Sequence, residues 1–360
     1  MTKNKKIAFY ISDHGFGHAS RNIPIIRYIL GANKEINIII KTGVFQGEFL
    51  KNSLEEFSNR IEYYFSPMDV GLILKEGSLE IDSYKLKEKV QLYIDSFEEN
   101  IRKESEFLHS YNVDLVVSDI VPWIFKACKK VNIKSMLISN FTWVDIYKEY
   151  LEKDIIDKYE DCYYLADKTL LYKLYIDNMK SYIKEYEEVG VVCRDFNKEK
   201  INKIKSKYDK PLVFISVGRS VSLNDNIDVS SLDYYFIATE GINLIGDNVK
   251  YLPKETKNTH EYLMACNYII TKAGFGTIAE ALIGRSKIAV LSRDTVAEDR
   301  NTIKKLKERK LALEVSYENF NIEEILKILE KFKPNYKEND FTNDYENIGN
   351  KIINYLKDGV

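Results

Sequence analysis

Residues 268–282 read YIITKAGFGTIAEAL. An apolar run, Tyr268, Ile269 and Ile270, ends in Thr271-Lys272-Ala273. Two glycines follow one residue apart, Gly274 and Gly276, and Thr277 opens a segment of good helix formers. The pattern is strand, tight turn, helix N-terminus. Such a turn aims free backbone N–H groups and the positive end of a helix dipole at one point, which suits a phosphate or diphosphate. Glycine belongs where the backbone bends sharply or comes close to a ligand. Taken alone, the motif fits a structural turn as well.

The same alternation runs through the rest of the chain. Apolar strands are expected at 6–12 (KIAFYIS), 36–41 (INIIIK), 61–65, 113–118 (VDLVVS) and 134–139 (KSMLIS), with helices at 18–30, 85–111 and 122–131. Residues 143–188 read as largely helical, charged and rich in Tyr, and strand character returns at 189–193. The charged stretch 194–210 has few apolar anchors and reads as an inter-domain linker with room for a short helix. A second set follows, with strands at 211–217, 234–239, 249–252, 268–271, 287–292 and 312–315. Its helices fall at 259–265, 277–283, 299–309 and 322–332, and a final helix at 345–356. Alternating strands and helices of this kind imply an α/β chain with two doubly wound parallel sheets.

Bulk properties narrow the function classes. The 360 residues suffice for about two domains. A formal net charge of −2 argues against a general nucleic-acid binder. The Lys-rich start is too short for a signal peptide, and no apolar run approaches the ~20 residues of a membrane span. Peripheral membrane contact is left open. Four cysteines without a CxxC pair fit a reducing cytoplasm and argue against structural zinc. The 26 tyrosines read as compositional drift.

Several constellations carry chemistry. In DHGFGHASR (residues 13–21), Gly15 and Gly17 free the backbone at a strand's carboxyl end, where open α/β sheets bind ligands. His18 falls in the first helical turn, where the dipole disfavours imidazolium; a neutral imidazole there can serve as general base. His14 and His18 could instead cap or pack, and Arg21, though able to reach an anion, reads by default as a surface residue. In the opening stretch, Gly274, Phe275, Gly276 and Thr277 would hold phosphate oxygens and Lys272 would neutralise charge. Glu280, one turn on, could accept hydrogen bonds from ribose hydroxyls or be a solvated helix charge. Arg293, Asp294, Asp299, Arg300 and Asn301 could bind sugar hydroxyls, or Asp299 could cap a helix. Gly218-Arg219-Ser220 ends the first strand of the second set. Asp119 and the turn Asn140-Phe141-Thr142-Trp143 end two strands of the first, with Trp143 a sugar platform or a packing residue. The chain contains no GxxxxGK[ST], HExxH, GxSxG or Asp-x-Asp motif, so no P-loop and no metal site is expected. A GxGxx[GA] match at 274–279 raises a nicotinamide or flavin enzyme. Against it, Ser20 holds the third position of the N-terminal loop and the second strand ends in Lys41.

These residues resemble a known family. The stretch 262–301 resembles the nucleotide-sugar site of GT-B glycosyltransferases, in the style of the UDP-N-acetylglucosamine transferase that makes lipid II. DHGFGHASR, SPMDVGL (66–72), VDLVVSDIVP (113–122) and SNFTWVDIY (139–147) resemble more closely the glycosyltransferase-like region fused to L-arabinokinase homologues. The resemblance covers about residues 6–315 and implies a version that stands alone, without the kinase region. It implies a GT-B fold of two Rossmann-like domains facing across a cleft. These are an acceptor domain at 1–195, a nucleotide-sugar donor domain at 196–340, and a C-terminal helix at 341–360 crossing back to the first. By position, residues 274–277 would hold the diphosphate, Glu280 the ribose, and Asp299 and Arg300 would lie near the donor sugar. Gly218, Arg219 and Lys272 complete the donor site. His18, oriented by Asp119, would act on the acceptor beside Gly15, Gly17, Asn140 and Trp143. The polar loop 293–300 departs from the lipid II pattern, so donor base, sugar and acceptor are not carried over. The expectation is a cytoplasmic, metal-independent transferase using a nucleotide-diphosphate sugar, UDP-linked, as co-substrate, with no cofactor. The GxGHxxR pattern at 15–21 also resembles the UDP-sugar hydrolase of the pseudaminic acid pathway, which leaves hydrolysis, or binding without turnover, as alternatives.

Overall fold

Strands buried on both faces read as continuous apolar runs, and those runs set the frame here. The structure is a computed structural model and describes residues 4–76, 80–217, 223–253, 256, 258–292, 295–317, 320–338 and 341–358, with backbone only at 223–225. The chain runs β1 (Lys5–Ile11), α1 (Gly17–Ala32), β2 (Ile36–Thr42), α2 (Val44–Ser53), β3 (Ile61–Phe65), α3 (Ser83–Asp95), α4 (Phe97–Ser110), β4 (Leu115–Asp119), α5 (Ile124–Lys130), β5 (Lys134–Ser139), α6 (Trp143–Tyr147), α7 (Lys153–Tyr163), β6 (Lys168–Tyr172) and β7 (Tyr186–Val189). It continues through α8 (Lys198–Lys205), β8 (Leu212–Ser216), β9 (Leu223–Asp228), β10 (Tyr235–Ala238), β11 (Ile242–Ile245), β12 (Val249–Tyr251), α9 (Thr259–Ala265), β13 (Tyr268–Lys272), α10 (Phe275–Ile283), β14 (Lys287–Leu291), α11 (Ala297–Glu308), β15 (Ala312–Val315), α12 (Ile322–Lys331) and α13 (Tyr345–Lys357).

Two compact units result, Met1–Val192 with Asn343–Val360, and Cys193–Thr342. The first holds a seven-stranded sheet in the order β3-β2-β1-β4-β5-β6-β7, the second a six-stranded sheet in the order β12-β10-β8-β13-β14-β15. Every pairing in both is parallel. In each sheet the strand order reverses beside the first strand, so β1 lies against β4 and β8 against β13. Ligands of open α/β sheets bind at such switch points, outside the strands' carboxyl ends. The loops after β1 and β13 are the two glycine turns singled out above.

Helix α13 belongs to the first unit. It packs on α1, and close approach demands Gly349: a Cβ there would lie 2.5 Å from Tyr28 Cδ1. Tyr28 Oη donates to Asn350 Oδ1 at 3.1 Å, and Gly190 N donates to Asp344 Oδ2 at 2.7 Å.

Some expectations need correction. The long helix expected at 85–111 is two, α3 and α4, broken at Ser96, whose hydroxyl donates to Tyr93 O at 2.6 Å and accepts from Asn100 Nδ2 at 3.0 Å. Serine competes in this way with the helix's own bonds. Residues 143–188 are not largely helical, because Lys168–Tyr172 pairs with β5 as a buried strand and Tyr186–Val189 forms the sheet edge. Charges on β7 hid it from pattern reading, and charged residues are how edge strands resist further pairing. The 194–210 stretch does carry a short helix: α8 packs on α9 and buries Ile201 and Ile204. Strands β9 and β11, a separate parallel pair, and helix α2 were not anticipated.

Candidate functional site

Strand β1 hands over to α1 through a turn in which Gly15 takes φ +82°, a conformation that favours glycine. Helix α1 then starts at Gly17. His18, Arg21 and Asn22 stand at i, i+3 and i+4, so they share one helix face. That face meets Asp119, the last residue of β4, because β4 is the neighbour of β1. The next residue, Ile120, sits at φ +64°, a strained conformation for a β-branched side chain that costs about 1–3 kcal/mol. Tyr163 Oη donates to Ile120 O at 2.7 Å and helps to hold this kink.

Three side chains converge, through four nitrogens, on the Asp119 carboxylate. His18 Nδ1 lies 2.9 Å from Oδ1, Arg21 Nε donates to Oδ2 at 2.7 Å, and Asn22 Nδ2 donates to Oδ2 at 2.7 Å. Arg21 Nη2 adds a bond to Oδ1. The guanidinium reaches on to β5 and the turn after it, with Nη1 donating to Asn140 Oδ1 at 2.7 Å and Nη2 to Ser139 Oγ at 3.2 Å. The Tyr172 ring lies 5.1 Å from it. Asp119 is 1% exposed and Arg21 4%. Breaking a buried pair by removing one partner typically costs about 3–5 kcal/mol.

The electrostatics follow from these contacts. His18 Nδ1 lies 2.9 Å from Asp119 Oδ1, which only accepts, and 2.9 Å from Arg21 Nη2, which only donates; in the tautomer that gives its proton to the carboxylate, Nε2 carries the lone pair. Burial lowers the His18 pKa below its ordinary value; Asp119 opposes that shift and Arg21 reinforces it. Burial alone would raise Asp119, but Arg21 and His18 outweigh it and hold the carboxyl below the usual range. Nε2 has no hydrogen-bond partner among the described residues. Phe141 packs edge-on against the imidazole, centroids 5.7 Å apart.

The surrounding residues are committed to protein partners. Asn140 receives Arg21. Trp143 is 1% exposed, stacks on Tyr147 at 5.2 Å, and donates through Nε1 to Asp69 Oδ2 at 2.8 Å. Its ring is part of the floor of the first unit, not an open sugar platform. Asp13 Oδ1 accepts from the Met68 and Asp69 amides at 3.1 and 3.4 Å, which pins the SPMDVGL segment to the β1–α1 turn. Burial, with Asp13 close by, raises the Asp69 carboxyl well above its usual value.

The second unit shows the other turn. Gly274 is the N-cap of α10, with no side-chain cap and no acid in the first turn. Neither Gly274 nor Gly276 has positive φ. A Cβ at Gly276 would meet nothing within 4 Å, and one at Gly274 only Lys272 Cε at 3.7 Å. Internal packing therefore does not demand these glycines. The backbone N–H groups of Gly276 and Thr277 have no partner among the described residues. Phe275 is buried. Glu280 is buried too, not a solvated charge, and Arg194 Nη2 lies 3.2 Å from its Oε1. Burial raises the Glu280 carboxyl, with Arg194 opposing. His260 Nε2 lies 2.7 Å from Asp195 O, and burial takes its pKa down to about 4. Asp299 and Arg300 sit in the first turn of α11, Asp299 buried. Gly218, Arg219, Ser220, Arg293 and Asp294 lie outside the described residues.

The structure thus brings His18 and Asp119 together and adds Arg21, Asn22 and Ser139, which sequence reading did not select. The i, i+3, i+4 spacing from His18, beside the apolar Ile23, Ile25 and Ile26, was the available signal that Arg21 faces inward. Arg194 carried no such signal.

No protein-family model matches the chain. L-arabinokinase of Arabidopsis thaliana is 26% identical over 322 residues, 83% of this chain. The chain spans only 29% of that relative's length. Among solved structures, the calicheamicin glycosyltransferase CalG4 superposes with a TM-score of 0.67 at 12% identity, covering 99% of both chains. Arabidopsis thaliana UGT89C1 complexed with UDP-L-rhamnose gives 0.64 at 14% identity, covering 99% of this chain and 96% of that one. The glycosyltransferase SnogD from Streptomyces nogalater gives 0.62 at 12% identity, covering 98% and 100%. With its two parallel sheets and their surrounding helices, the chain has the two-domain α/β GT-B fold of these glycosyltransferases.

Proposed function

We propose that the protein is a glycosyltransferase that moves a sugar from a nucleotide-diphosphate sugar, of the UDP class, to a hydroxyl acceptor. The observation that carries this reading is His18, held through Nδ1 by buried Asp119 with Nε2 left over, at the switch point of a GT-B chain. His18 Nε2 takes the proton of the acceptor hydroxyl as its oxygen attacks the anomeric carbon. The bond from that carbon to the diphosphate oxygen breaks, and the nucleoside diphosphate leaves. General-base help of this kind is worth about 10²–10⁴-fold. The bare N–H groups at Gly276 and Thr277 and the dipole of α10 stabilise the departing charge, with Lys272 alongside and no divalent metal required. Glu280 addresses the ribose, in competition with Arg194, while Asp299 and Arg300 lie toward the donor sugar. UGT89C1 has been solved with UDP and with UDP-L-rhamnose, which supports the choice of donor class. Four buried free cysteines suit a reducing cytoplasm.

A thermal-shift screen of UDP-, GDP-, CDP- and dTDP-sugars tests the donor assignment, since a ligand of the native state raises apparent stability. Stabilisation by UDP-sugars, with UDP release that survives EDTA, is the expected outcome. No response to any nucleotide sugar would refute the reading. Because the same dyad would activate water as readily as an acceptor hydroxyl, hydrolysis is the second reading, and fast release of free sugar without acceptor would establish it.

A further inference from the structure

We infer that Arg21 is the positioning residue that keeps His18 unprotonated beside a buried carboxylate, by taking the charge of Asp119 onto itself. The inference rests on the reading of His18 as the base. A histidine 2.9 Å from a buried carboxylate would ordinarily take up a proton and become half of an ion pair. Such an imidazolium cannot accept a proton from anything. Counting charge shows why this site escapes. With Arg21 present, Asp119 and Arg21 cancel, and neutral His18 leaves the buried cluster at zero. Protonating His18 would leave the buried cluster at plus one, with only the half-buried Asp13 outside it to offset the charge. Without Arg21 the balance inverts: neutral His18 leaves a bare carboxylate, and protonated His18 restores zero.

The geometry is built for this task. Arg21 reaches both carboxylate oxygens, Nε to Oδ2 at 2.7 Å and Nη2 to Oδ1, a bidentate fork that a lysine cannot reproduce. Its Nη2 also lies 2.9 Å from His18 Nδ1, so a positive imidazole would face a guanidinium at contact distance. Asn140 and Ser139 fix the far side of the fork. The charged groups facing His18 are Asp119 from β4, Arg21 on its own helix and Asp13 in the turn before it. Strand β5 and the turn after it offer neutral Ser139, Asn140 and Phe141, and β6 presents Tyr172 to the guanidinium. Asp13 favours protonation, so Arg21 is the group of this set that opposes it.

The test is an NMR titration of the His18 imidazole, assigned against His18→Gln, in wild type, Arg21→Met, Arg21→Met/Asp119→Asn and Asp119→Asn, without substrate. Arg21→Met should raise the His18 pKa by about 1–3 units, the size of a nearby-charge effect. The double variant, which removes both charges, should bring it back down, and Asp119→Asn alone should lower it further than wild type. A His18 pKa unmoved in Arg21→Met, or a rise that the double variant does not reverse, would overturn the inference. If Arg21→Met does not fold, Asp119→Asn decides: a His18 pKa at or above wild type refutes the charge balance. In UDP release from a UDP-sugar, the acidic limb of Arg21→Met should move to higher pH by the same amount, with activity recovering as pH rises. A purely structural role predicts a loss that is the same at every pH. Failure of the titration leaves the base assignment standing; full turnover by His18→Ala would remove the base while leaving the charge balance intact.

Discussion

Two strand-to-helix turns, one in each unit, make an instructive pair. Both follow a central parallel strand, both lie at a switch point, and both open a helix whose N-terminus has no side-chain cap and no acid in its first turn. Yet they are finished in opposite ways. The α1 turn is filled with charge: His18, Arg21 and Asn22 close on Asp119, and a strained Ile120 holds that carboxylate in place. The α10 turn is stripped: two glycines that neither φ nor packing requires, and bare N–H groups. A helix N-terminus invites an anion in either case. In the first unit three side chains of α1 close on a carboxylate from β4. In the second the place is left open for an anion from outside. On the proposed function, one backbone device serves chemistry in one unit and binding in the other.

The division of labour can be broken experimentally. The largest effect belongs to His18→Ala, which should cut UDP release from a UDP-sugar by about 10²–10⁴-fold while leaving UDP affinity nearly intact. Loss of binding with turnover retained would reverse the roles of the two turns. Next comes Gly276→Val. Open space surrounds that position, so the fold should survive, measured by an unchanged melting temperature to within a few degrees. UDP affinity should fall about 10–100-fold, the cost of losing one or two hydrogen bonds to a charged group. Unchanged affinity would make the turn merely structural. Glu280→Gln should weaken UDP by about tenfold, and should weaken a 2′,3′-dideoxy analogue by less, if the carboxylate meets the ribose. Equal effects on both ligands would assign it to Arg194 alone.

The smallest effect is shared by the two units. Each holds a histidine whose folded pKa lies below its ordinary value, His18 and His260. A depressed histidine stays neutral in the fold while the unfolded chain takes up its proton, so stability falls as pH drops below about 6.5. For His260 this loss continues down to about pH 4. Chemical denaturation at pH 7 and pH 5 should show the drop, and His260→Gln should shrink it. A pH dependence that His260→Gln leaves unchanged would contradict the neutral assignment of His260, a comparison that cancels the opposite contribution of the raised Asp69 and Glu280 carboxyls.

Much of the frame was legible in the sequence, because parallel strands buried on both faces are apolar runs that need no partner information to read. KIAFYIS, KSMLIS and ALEV all fall where strands are found. What escaped depended on neighbours. KTLLY is a strand because β5 pairs with it, and its flanking lysines disguised it within a charged stretch. The site divides in the same way. His18 and Asp119 announced themselves as polar residues at a helix start and a strand end. Arg21 did not, since its burial depends on Asp119, 98 residues away, and on Asn140 beyond it. Trp143 misled for the converse reason: an aromatic among polar residues suggests an open platform, whereas the stacking of Tyr147 and the bond to Asp69 close it. Glu280 could be identified as a helix residue but not as buried, because Arg194 reaches it from 86 residues away.

Calorimetric titration of UDP into wild type, His18→Ala and Gly276→Val tests the central claim most directly, because it separates the binding turn from the chemical one without knowledge of the acceptor. UDP should bind wild type and His18→Ala with equal affinity and Gly276→Val at least about tenfold more weakly. Failure of UDP to bind wild type, or equal binding by Gly276→Val, would contradict the account.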